Sequence, residues 1–314
     1  MNRTNRTALV ALALTLGASP SWAQDAPSCQ TLRMADVGWV DNGAINGLTM
    51  AVAEGLGYKA KVTTLSLPII LISLQKKDID FFLDYWSPAS DPLFQPAAAN
   101  NSVALMAEPN LTGAKFTLAV PSYLASDGLK DMSDIARYKD QLKGKIYGIE
   151  SGAGGNQLIK TMIEENRYEL GDFKLVESSE TAMRLQVARA IRKQEPIVFL
   201  GWAPHPMNLQ FDMTYLSGAD DLWGPDGGAA KVHTVMANDY QTRCPNAAKL
   251  ASNMKFDIPM ESHMMERIMD KEPAVQAAKQ WIAKNPQWLD TWLEGVTTFD
   301  GQDGKAAVIK HLKL

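Results

Sequence analysis

The sequence predicts an α/β protein with two domains. Strand-like segments are followed by helical segments, and this order occurs twice along the chain, which is typical of mainly parallel sheets flanked by helices. At about 100–200 residues per domain, the 314 residues of the chain are enough for two separate cores. The composition, 46% hydrophobic and 21% charged, is that of a globular protein.

Hydrophobic patterning places the first unit before residue 90. We expect strands at 32–38, 59–65 and 79–83, with helices at 44–56 and 68–75. Asp41 or Asn42 stands where the first helix needs an N-cap, and Pro68 is suited to open the second helix. The third strand runs into Asp84 and Trp86, so both should lie at its carboxyl end.

The pattern restarts in the second unit. We expect strands at 115–120, 145–149 and 196–200, and helices at 156–165 and 179–192. A glycine-rich loop, 150–155, follows the middle strand. Beyond Ser217 the chain reads as loop-rich, and then as helical over 273–292 with a break before Pro286. Three tryptophans in this last helical region have the spacing of a packing stripe: Trp281, Trp288 and Trp292.

Residues 1–23 have the features of a secretory signal peptide. Arg3 and Arg6 precede the apolar run 8–18, and a small-residue cleavage site ends at Ala23. We therefore expect a mature protein in the periplasm. No later run reaches the ~20 apolar residues that a membrane helix needs, and the formal charge of −4 argues against a nucleic-acid binder.

Cys29 and Cys244 are the only cysteines of the chain. Two thiols in an exported protein most often form one disulfide, because the compartment is oxidising. The predicted bond would place the mature N-terminus beside the segment around residue 244.

Three tryptophans stand where predicted strands end. Trp39 follows the first strand, Trp86 the third, and Trp202 the last strand of the second unit. Ligands of open α/β sheets bind beyond the carboxyl ends of the strands. The division of these residues between two units predicts a cleft that is lined from both sides.

The residue types at this cleft favour a cation. Indole faces attract cations, and quaternary ammonium groups are typical guests of aromatic cages. Each ring contributes about 0.5–2 kcal/mol, whereas micromolar affinity requires about 8 kcal/mol, so a counter-charge must contribute as well. Asp41 is the candidate carboxylate, and the alternative is that it only caps the following helix.

Six stretches resemble the periplasmic binding proteins of ABC importers for choline and glycine betaine, and the choline-binding branch in particular. They are VGWVDNGA, EGLGYKA, KKDIDFFLDYWSP, EPNLTGAKFTLAVP, YGIESG and FLGWAPHPM. The resemblance implies a type II, two-lobed clamshell with two crossings between lobes, near Asn110–Lys115 and Met207–Thr214. Lobe I would comprise 24–113 and 214–314, and lobe II 114–213.

The resemblance also assigns roles to individual residues. Trp39, Trp86 and Trp202 match the tryptophans of the family's cage, and Asp41 matches its cation-facing carboxylate. Phe116 stands where the choline-binding members have a tyrosine, so the ring is kept and a hydroxyl is lost.

A second departure lies in the glycine-rich loop. Ala153 occupies the place of an asparagine that would meet the hydroxyl of the ligand, and Asn156 or Asn42 is a candidate substitute. Choline is favoured over glycine betaine because Asp41 would repel a betaine carboxylate, while carnitine and trimethylamine N-oxide stay open as alternatives.

Motifs of other classes are missing from the sequence. It contains no zinc-protease motif, nucleophile elbow, phosphate loop or dinucleotide fingerprint, so we expect neither an enzyme nor a metal or cofactor site. His205, between two prolines, reads as a rigid loop residue. The expected partners of this monomer are its small-molecule ligand and the permease and ATPase of an importer, although a periplasmic sensor would look the same in sequence.

Overall fold

The computed structural model describes residues 25–314, and the predicted signal peptide lies outside this range. In the described chain the strands are β1 Thr31–Asp36, β2 Lys59–Thr64, β3 Phe81–Ser87, β4 Val103–Leu105, β5 Leu111–Pro121, β6 Lys145–Tyr147, β7 Lys174–Val176, β8 Phe199–Ala203, β9 Met213–Tyr215 and β10 Ala229–Ala237. The helices are α1 Val40–Gly55, α2 Leu67–Gln75, α3 Asp91–Ala98, α4 Ser122–Ser126, α5 Lys139–Leu142, α6 Gly154–Glu164, α7 Glu180–Lys193, α8 Met207–Gln210, α9 Asp220–Trp223, α10 Pro225–Gly228, α11 Tyr240–Arg243, α12 Pro245–Asn253, α13 Ile258–Met269, α14 Ala274–Lys284, α15 Trp288–Trp292 and α16 Gly304–Leu312.

The strands form two parallel groups within one mixed sheet. The order is β2-β1-β3-β10-β5-β8-β6-β7, with β4 paired to β10 and β9 paired to β5. The first group consists of β2, β1 and β3, and the second of β8, β6 and β7. Two antiparallel strands, β10 and β5, join the groups. The predicted α/β class with mainly parallel sheets and flanking helices is confirmed.

β5 carries the chain from the first group to the second. Its start, Leu111–Lys115, pairs with β10, and the part from Lys115 to Ala119 pairs with β8. β9 pairs with the end of β5, and residues 216–228 then connect β9 to β10. The lobe crossings near Asn110–Lys115 and Met207–Thr214 stay predictions.

Part of the C-terminal region differs from the sequence prediction. The stretch after Ser217 was expected to be loop-rich, but it contains β10 and the helices α12 and α13. β10 lies between two other strands and is almost wholly buried, so it lacks the polar alternation that marks a half-exposed strand. Its neighbours in sequence, rich in Gly, Asp and Pro, resemble a succession of turns.

The predicted disulfide is confirmed. Cys29 and Cys244 are bonded, with their Cα atoms 5.6 Å apart, and both are buried. The bond ties the N-terminal segment to the start of α12.

The tryptophans of α14 and α15 pack on one another, as predicted. The ring centroids of Trp281, Trp288 and Trp292 lie 5.7–6.3 Å apart. The break between these helices falls at Pro286, also as predicted. Within residues 25–314, no helix has the length and apolar character required to span a bilayer.

Candidate functional site

A small aromatic cavity lies between the two groups of strands. Its lining residues are Trp39, Asp41, Trp86, Ser90, Phe116, Ile149, Gly154 and Trp202. Five of the seven side chains predicted to bind the ligand therefore come together: Trp39, Asp41, Trp86, Phe116 and Trp202. These side chains come from elements of both groups of strands, which is the arrangement that the positions of the tryptophans predict.

The sheet register places three of the aromatic rings. Phe116 of β5 lies directly opposite Trp202 of β8, and their ring centroids are 6.1 Å apart in an edge-to-face arrangement. Trp86, near the end of β3, lies 5.7 Å from Phe116. All three rings are buried. Phe116 is thus the central ring of this wall, with a tryptophan on either side.

Two residues behind Phe116 hold its ring in place. Trp223, which is fully buried, packs edge-to-face on Phe116 with centroids 5.8 Å apart. Gly155 of α6 lies so close that a Cβ there would come within 2.6 Å of the Phe116 ring. Glycine is therefore required at this position for helix α6 to approach the wall of the cavity.

Asp41 is the buried charge of the cavity. Its side chain is 1% exposed, and neither carboxyl oxygen has a hydrogen-bond partner in the described structure. Burial raises the pKa of Asp41 well above its usual range, and the neighbouring carboxyls of Asp84 and Glu180 raise it further. A cation in the cavity would stabilise the ionised form.

Asp41 does not cap helix α1, so that alternative is wrong. The N-cap position is occupied by Trp39, and no side chain within the helix fills the capping role. Asn42 instead accepts a hydrogen bond from the amide of Val37, at 2.9 Å, so it is not the cap either.

Further carboxyl groups lie behind the cavity wall. Asp84 is buried, and its pKa is raised by burial and by the nearby Glu261. Glu261 of α13 is buried too, and burial together with Asp41 raises its pKa. Nothing in the sequence singles out Glu261, because the stretch that forms α13 lies in the region predicted to be loop-rich.

The indole N–H groups of two lining tryptophans have acidic partners. Trp86 Nε1 donates to Asp84 Oδ1 at 2.8 Å, and Trp39 Nε1 donates to Glu150 Oε1 at 2.8 Å. These hydrogen bonds fix the orientation of the Trp86 and Trp39 indole rings in the cavity wall. The Trp39–Glu150 bond joins the start of α1 to the loop that follows β6.

Ala153 and Asn156 do not line the cavity. Ala153 is the N-cap residue of α6. The Asn156 side chain accepts from the Ile149 amide at 3.0 Å and donates to the Ile149 and Glu150 carbonyls at 2.9 and 3.0 Å. Its amide is therefore occupied in shaping the loop before α6, and the expectation that it faces the ligand is not met.

Ser90, Ile149 and Gly154 line the cavity but were absent from the sequence-based set. Ser90 follows Trp86 by one turn, and Gly154 belongs to the glycine-rich loop, so proximity to two recognised motifs was the available signal. A Cβ at Gly154 would come within 2.6 Å of the Ala89 carbonyl oxygen, which explains the need for glycine there.

His205 is rigidly held, as predicted. It is buried, and its Nδ1 accepts from the Met207 amide at 2.9 Å, so the proton of the neutral ring resides on Nε2. Nε2 lies 3.1 Å from Glu180 Oε1 and donates to it. Burial lowers the pKa of His205, in keeping with a neutral ring.

Comparison with protein families gives one match over most of the chain. The family described as “Substrate binding domain of ABC-type glycine betaine transport system” matches residues 30–284. The glycine betaine/carnitine transport binding protein GbuC of Listeria monocytogenes is 28% identical over 196 residues, which are 62% of this chain and 62% of that protein.

Two solved structures are more similar. An ABC-transporter choline binding protein in complex with choline is 47% identical, with a TM-score of 0.90, and the match covers 92% of this chain and 100% of that one. An ABC-transporter choline binding protein in an unliganded semi-closed conformation is 48% identical, with a TM-score of 0.83, over 91% and 100% of the respective chains. The present structure therefore superposes better on the choline complex.

Proposed function

Because this chain belongs to the family of substrate-binding domains of ABC-type glycine betaine transport systems, we propose that its ligand is a small quaternary ammonium cation, with choline preferred. The chain is a ligand-binding receptor of an importer for this class of compound. The family consists of transport proteins rather than enzymes. Its receptors act outside the cytoplasm, and we further propose export to the periplasm through cleavage after Ala23.

The observation that carries the proposal is the position of Asp41 in the cavity. Three indoles and one phenyl ring surround a carboxylate that no other group of the described chain hydrogen-bonds. Each ring supplies about 0.5–2 kcal/mol of cation–π attraction. A buried carboxylate adds an electrostatic attraction that water screens only weakly. This combination fits a monovalent cation with methyl groups on nitrogen.

Asp41 also sets choline apart from glycine betaine. A betaine carboxylate would add a second negative charge to a cavity that already has Asp41, with Asp84 and Glu261 behind it. Choline carries no such charge. The relative that superposes at a TM-score of 0.90 was solved with choline, which supports the same choice.

Ser90 is the proposed partner of the choline hydroxyl. Ala153 offers no polar side chain, the Asn156 amide is used in hydrogen bonds to the backbone, and Asn42 is not among the residues that line the cavity. Ser90 is the other polar side chain that lines the cavity beside Asp41. It would take over the role that the choline-binding relatives are expected to give to an asparagine in the glycine-rich loop.

The partners we propose are the permease and ATPase subunits of an ABC importer, with the receptor itself a monomer. The proposed lobes are 24–113 with 214–314, and 114–213, and a ligand held between them is presented to the permease when they close. A separate sensory role in the same compartment would use the same cavity but would not depend on the transporter.

Calorimetric titration of the ligand-free mature protein tests the proposal. Choline, glycine betaine, carnitine, acetylcholine and trimethylamine N-oxide are compared, and choline should bind most tightly. Tetramethylammonium serves as a control for the hydroxyl: Ser90→Ala should weaken choline and leave tetramethylammonium unchanged. The absence of heat with every compound at millimolar concentration would refute the proposed ligand class.

A further inference from the structure

We infer that Glu150 and Glu180 form a latch that joins the two groups of strands and positions one wall of the cage. Both residues lie on the side of the second group, after β6 and at the start of α7. Both bind groups at the start of α1, on the side of the first group. The inference deepens the proposed function, on which the choice of choline as test ligand rests.

Glu150 fixes the ring of Trp39. Its Oε1 accepts the indole N–H at 2.8 Å, across a sequence separation of 111 residues. The same Trp39 side chain lines the cavity. Because the ring can rotate about its side-chain bonds, a fixed acceptor for Nε1 decides which surface it presents to the ligand.

Glu180 supplies the cap that α1 lacks. Its Oε2 accepts from the Val40 amide at 3.0 Å, and Val40 is the first residue of that helix. The first amides of a helix have no partner within the helix, and a carboxylate there is also favoured by the helix dipole. The start of α1, which carries Asp41, is thus held by a side chain from the opposite side of the cavity.

The same carboxyl group is connected to a second wall of the cage. Glu180 Oε1 accepts from His205 Nε2 at 3.1 Å, and Arg184 lies 3.7 Å from the same oxygen. The His205 ring packs edge-to-face on Trp202, with centroids 4.8 Å apart. Glu180 therefore links the segment of Trp39 and Asp41 to the segment of Trp202.

These contacts bridge the two groups of strands, so they form only when the groups are close together. The structure superposes better on a relative in complex with choline than on one in an unliganded, semi-closed conformation. Hinge opening would separate both glutamates from their donors. The latch residues are positioning residues: they hold Trp39, Asp41 and Trp202 where the ligand meets them.

Three substitutions at the two positions test the latch. Glu150→Ala and Glu180→Ala each remove an acceptor, and each should weaken choline binding about tenfold, mainly through faster dissociation, since a hydrogen bond to a charged group is lost. Glu150→Gln keeps an acceptor oxygen and should stay close to the unmodified protein. Glu164→Ala, at an exposed glutamate of α6, is the matched control.

A second measurement does not depend on the identity of the ligand. Spin labels at two exposed positions on opposite edges of the sheet, Lys59 of β2 and Lys174 of β7, report the separation of the groups in ligand-free protein. Both alanine variants should deplete the population at the shorter distance, in which the latch is formed, with Glu150→Gln and Glu164→Ala unchanged. If unmodified protein binds no test ligand, the proposed function fails while this measurement still decides the latch.

The latch is refuted if Glu150→Ala and Glu180→Ala match Glu164→Ala in both distance distribution and choline dissociation rate. A contact between Glu150 and Trp39 also predicts coupling. Trp39→Phe removes the N–H donor, so adding Glu150→Ala to it should cause little further loss. Fully additive losses would contradict the hydrogen bond as the source of the effect.

Discussion

At the scale of single residues, Asp41 dominates the chemistry of the cavity. Its two oxygens are buried and unpartnered in the described structure, and other carboxyls lie nearby. A protein stabilises such a group by protonating it or by supplying a cation. Pairing with a cation and protonation each have a measurable consequence.

The first consequence concerns ligand choice. We expect Asp41→Asn to weaken choline at least about tenfold, or ~1.4 kcal/mol, because the counter-charge is lost while the size is kept. Glycine betaine should lose less affinity, or gain some, since its own carboxylate no longer meets a like charge. Titration of both ligands into the one variant is the measurement, and parallel changes would contradict the counter-ion role.

The second consequence is a dependence on pH. Because the pKa of Asp41 is raised, a proton competes with the ligand for this carboxyl group. Choline affinity should therefore fall as the pH is lowered through the raised pKa. Titrations between neutral pH and about pH 5 measure this. Asp41→Asn should abolish most of the slope, and an unaltered slope would assign it to another group.

Ring removal is the third test at this scale. Trp86→Ala and Trp202→Ala should each weaken choline by ~1–2 kcal/mol or more, because each removes a face from a desolvated cage. Trp288→Ala is the matched control, since this ring packs within α14 and α15, away from the cavity. Equal losses of affinity for all three variants would mean that the cage has been misassigned.

The sequence predicts a binding residue well where the type of side chain and its place in the predicted secondary structure both point to the cavity. The three cage tryptophans could be predicted because each comes at the end of a predicted strand, and Asp41 because it lies two residues after Trp39. Glu150 and Glu180 carried no comparable signal. Their partners are the indole of Trp39 and a backbone amide far away in sequence, and only the fold reveals such pairs.

At the scale of elements, α14 and α15 form a packing unit around three tryptophans. Trp292 is fully buried, and Trp288 is partly exposed. Trp288→Ala should lower the free energy of unfolding by about 1–3 kcal/mol without changing affinity. Thermal denaturation beside the titrations above measures both quantities, and an unchanged melting temperature would show that the ring contributes nothing to packing.

Helix α13 contributes the other element-scale prediction, because it carries Glu261 into the interior. Its pKa is raised in the folded protein, so folding is favoured by protonation, and this stability is lost as the pH rises from about 4 through the raised pKa. Glu261→Gln imitates the protonated group. It should therefore raise the melting temperature at neutral pH, by about 2–4 °C per kcal/mol, and much less under acidic conditions.

Elements were predictable from sequence as long as their pattern was local. The strands and helices that were predicted up to residue 203 appear close to their places, because alternation and helix-end signals mark them, whereas the short elements α3, β4 and β7 were not predicted. β10 was not predicted, because it is covered on both faces and paired on both edges. Its sequence therefore lacks the local alternation of polar and apolar residues, and its place depends on contacts with segments far away in sequence.

At the scale of the whole molecule, two bodies joined by β5 and the return segment should move as a hinge. We expect small-angle scattering to show a smaller radius of gyration when choline saturates the protein. The Glu180→Ala variant provides a more open reference. An unchanged radius on saturation, with binding confirmed by calorimetry, would contradict closure around the ligand.

The disulfide acts at the same scale. A closed loop of 215 residues corresponds to roughly 5 kcal/mol in the chain-entropy description. Reduction, or replacement of Cys29 and Cys244 by serine, should lower the melting temperature by several degrees. Choline affinity should change little, since the bond lies outside the cavity lining. A large loss of affinity would show that the bond shapes the site.

The position of β10 also decides how much of the chain must be synthesised before the sheet can be completed. This strand lies between β3 and β5, although it is made some 140 residues after the end of β3. Until residues 229–237 are available, β3 presents an unpaired apolar edge of the kind that recruits other chains. Fragments that stop short of residue 229 should aggregate more than longer fragments that include β10, because only the longer ones can cover this edge of β3.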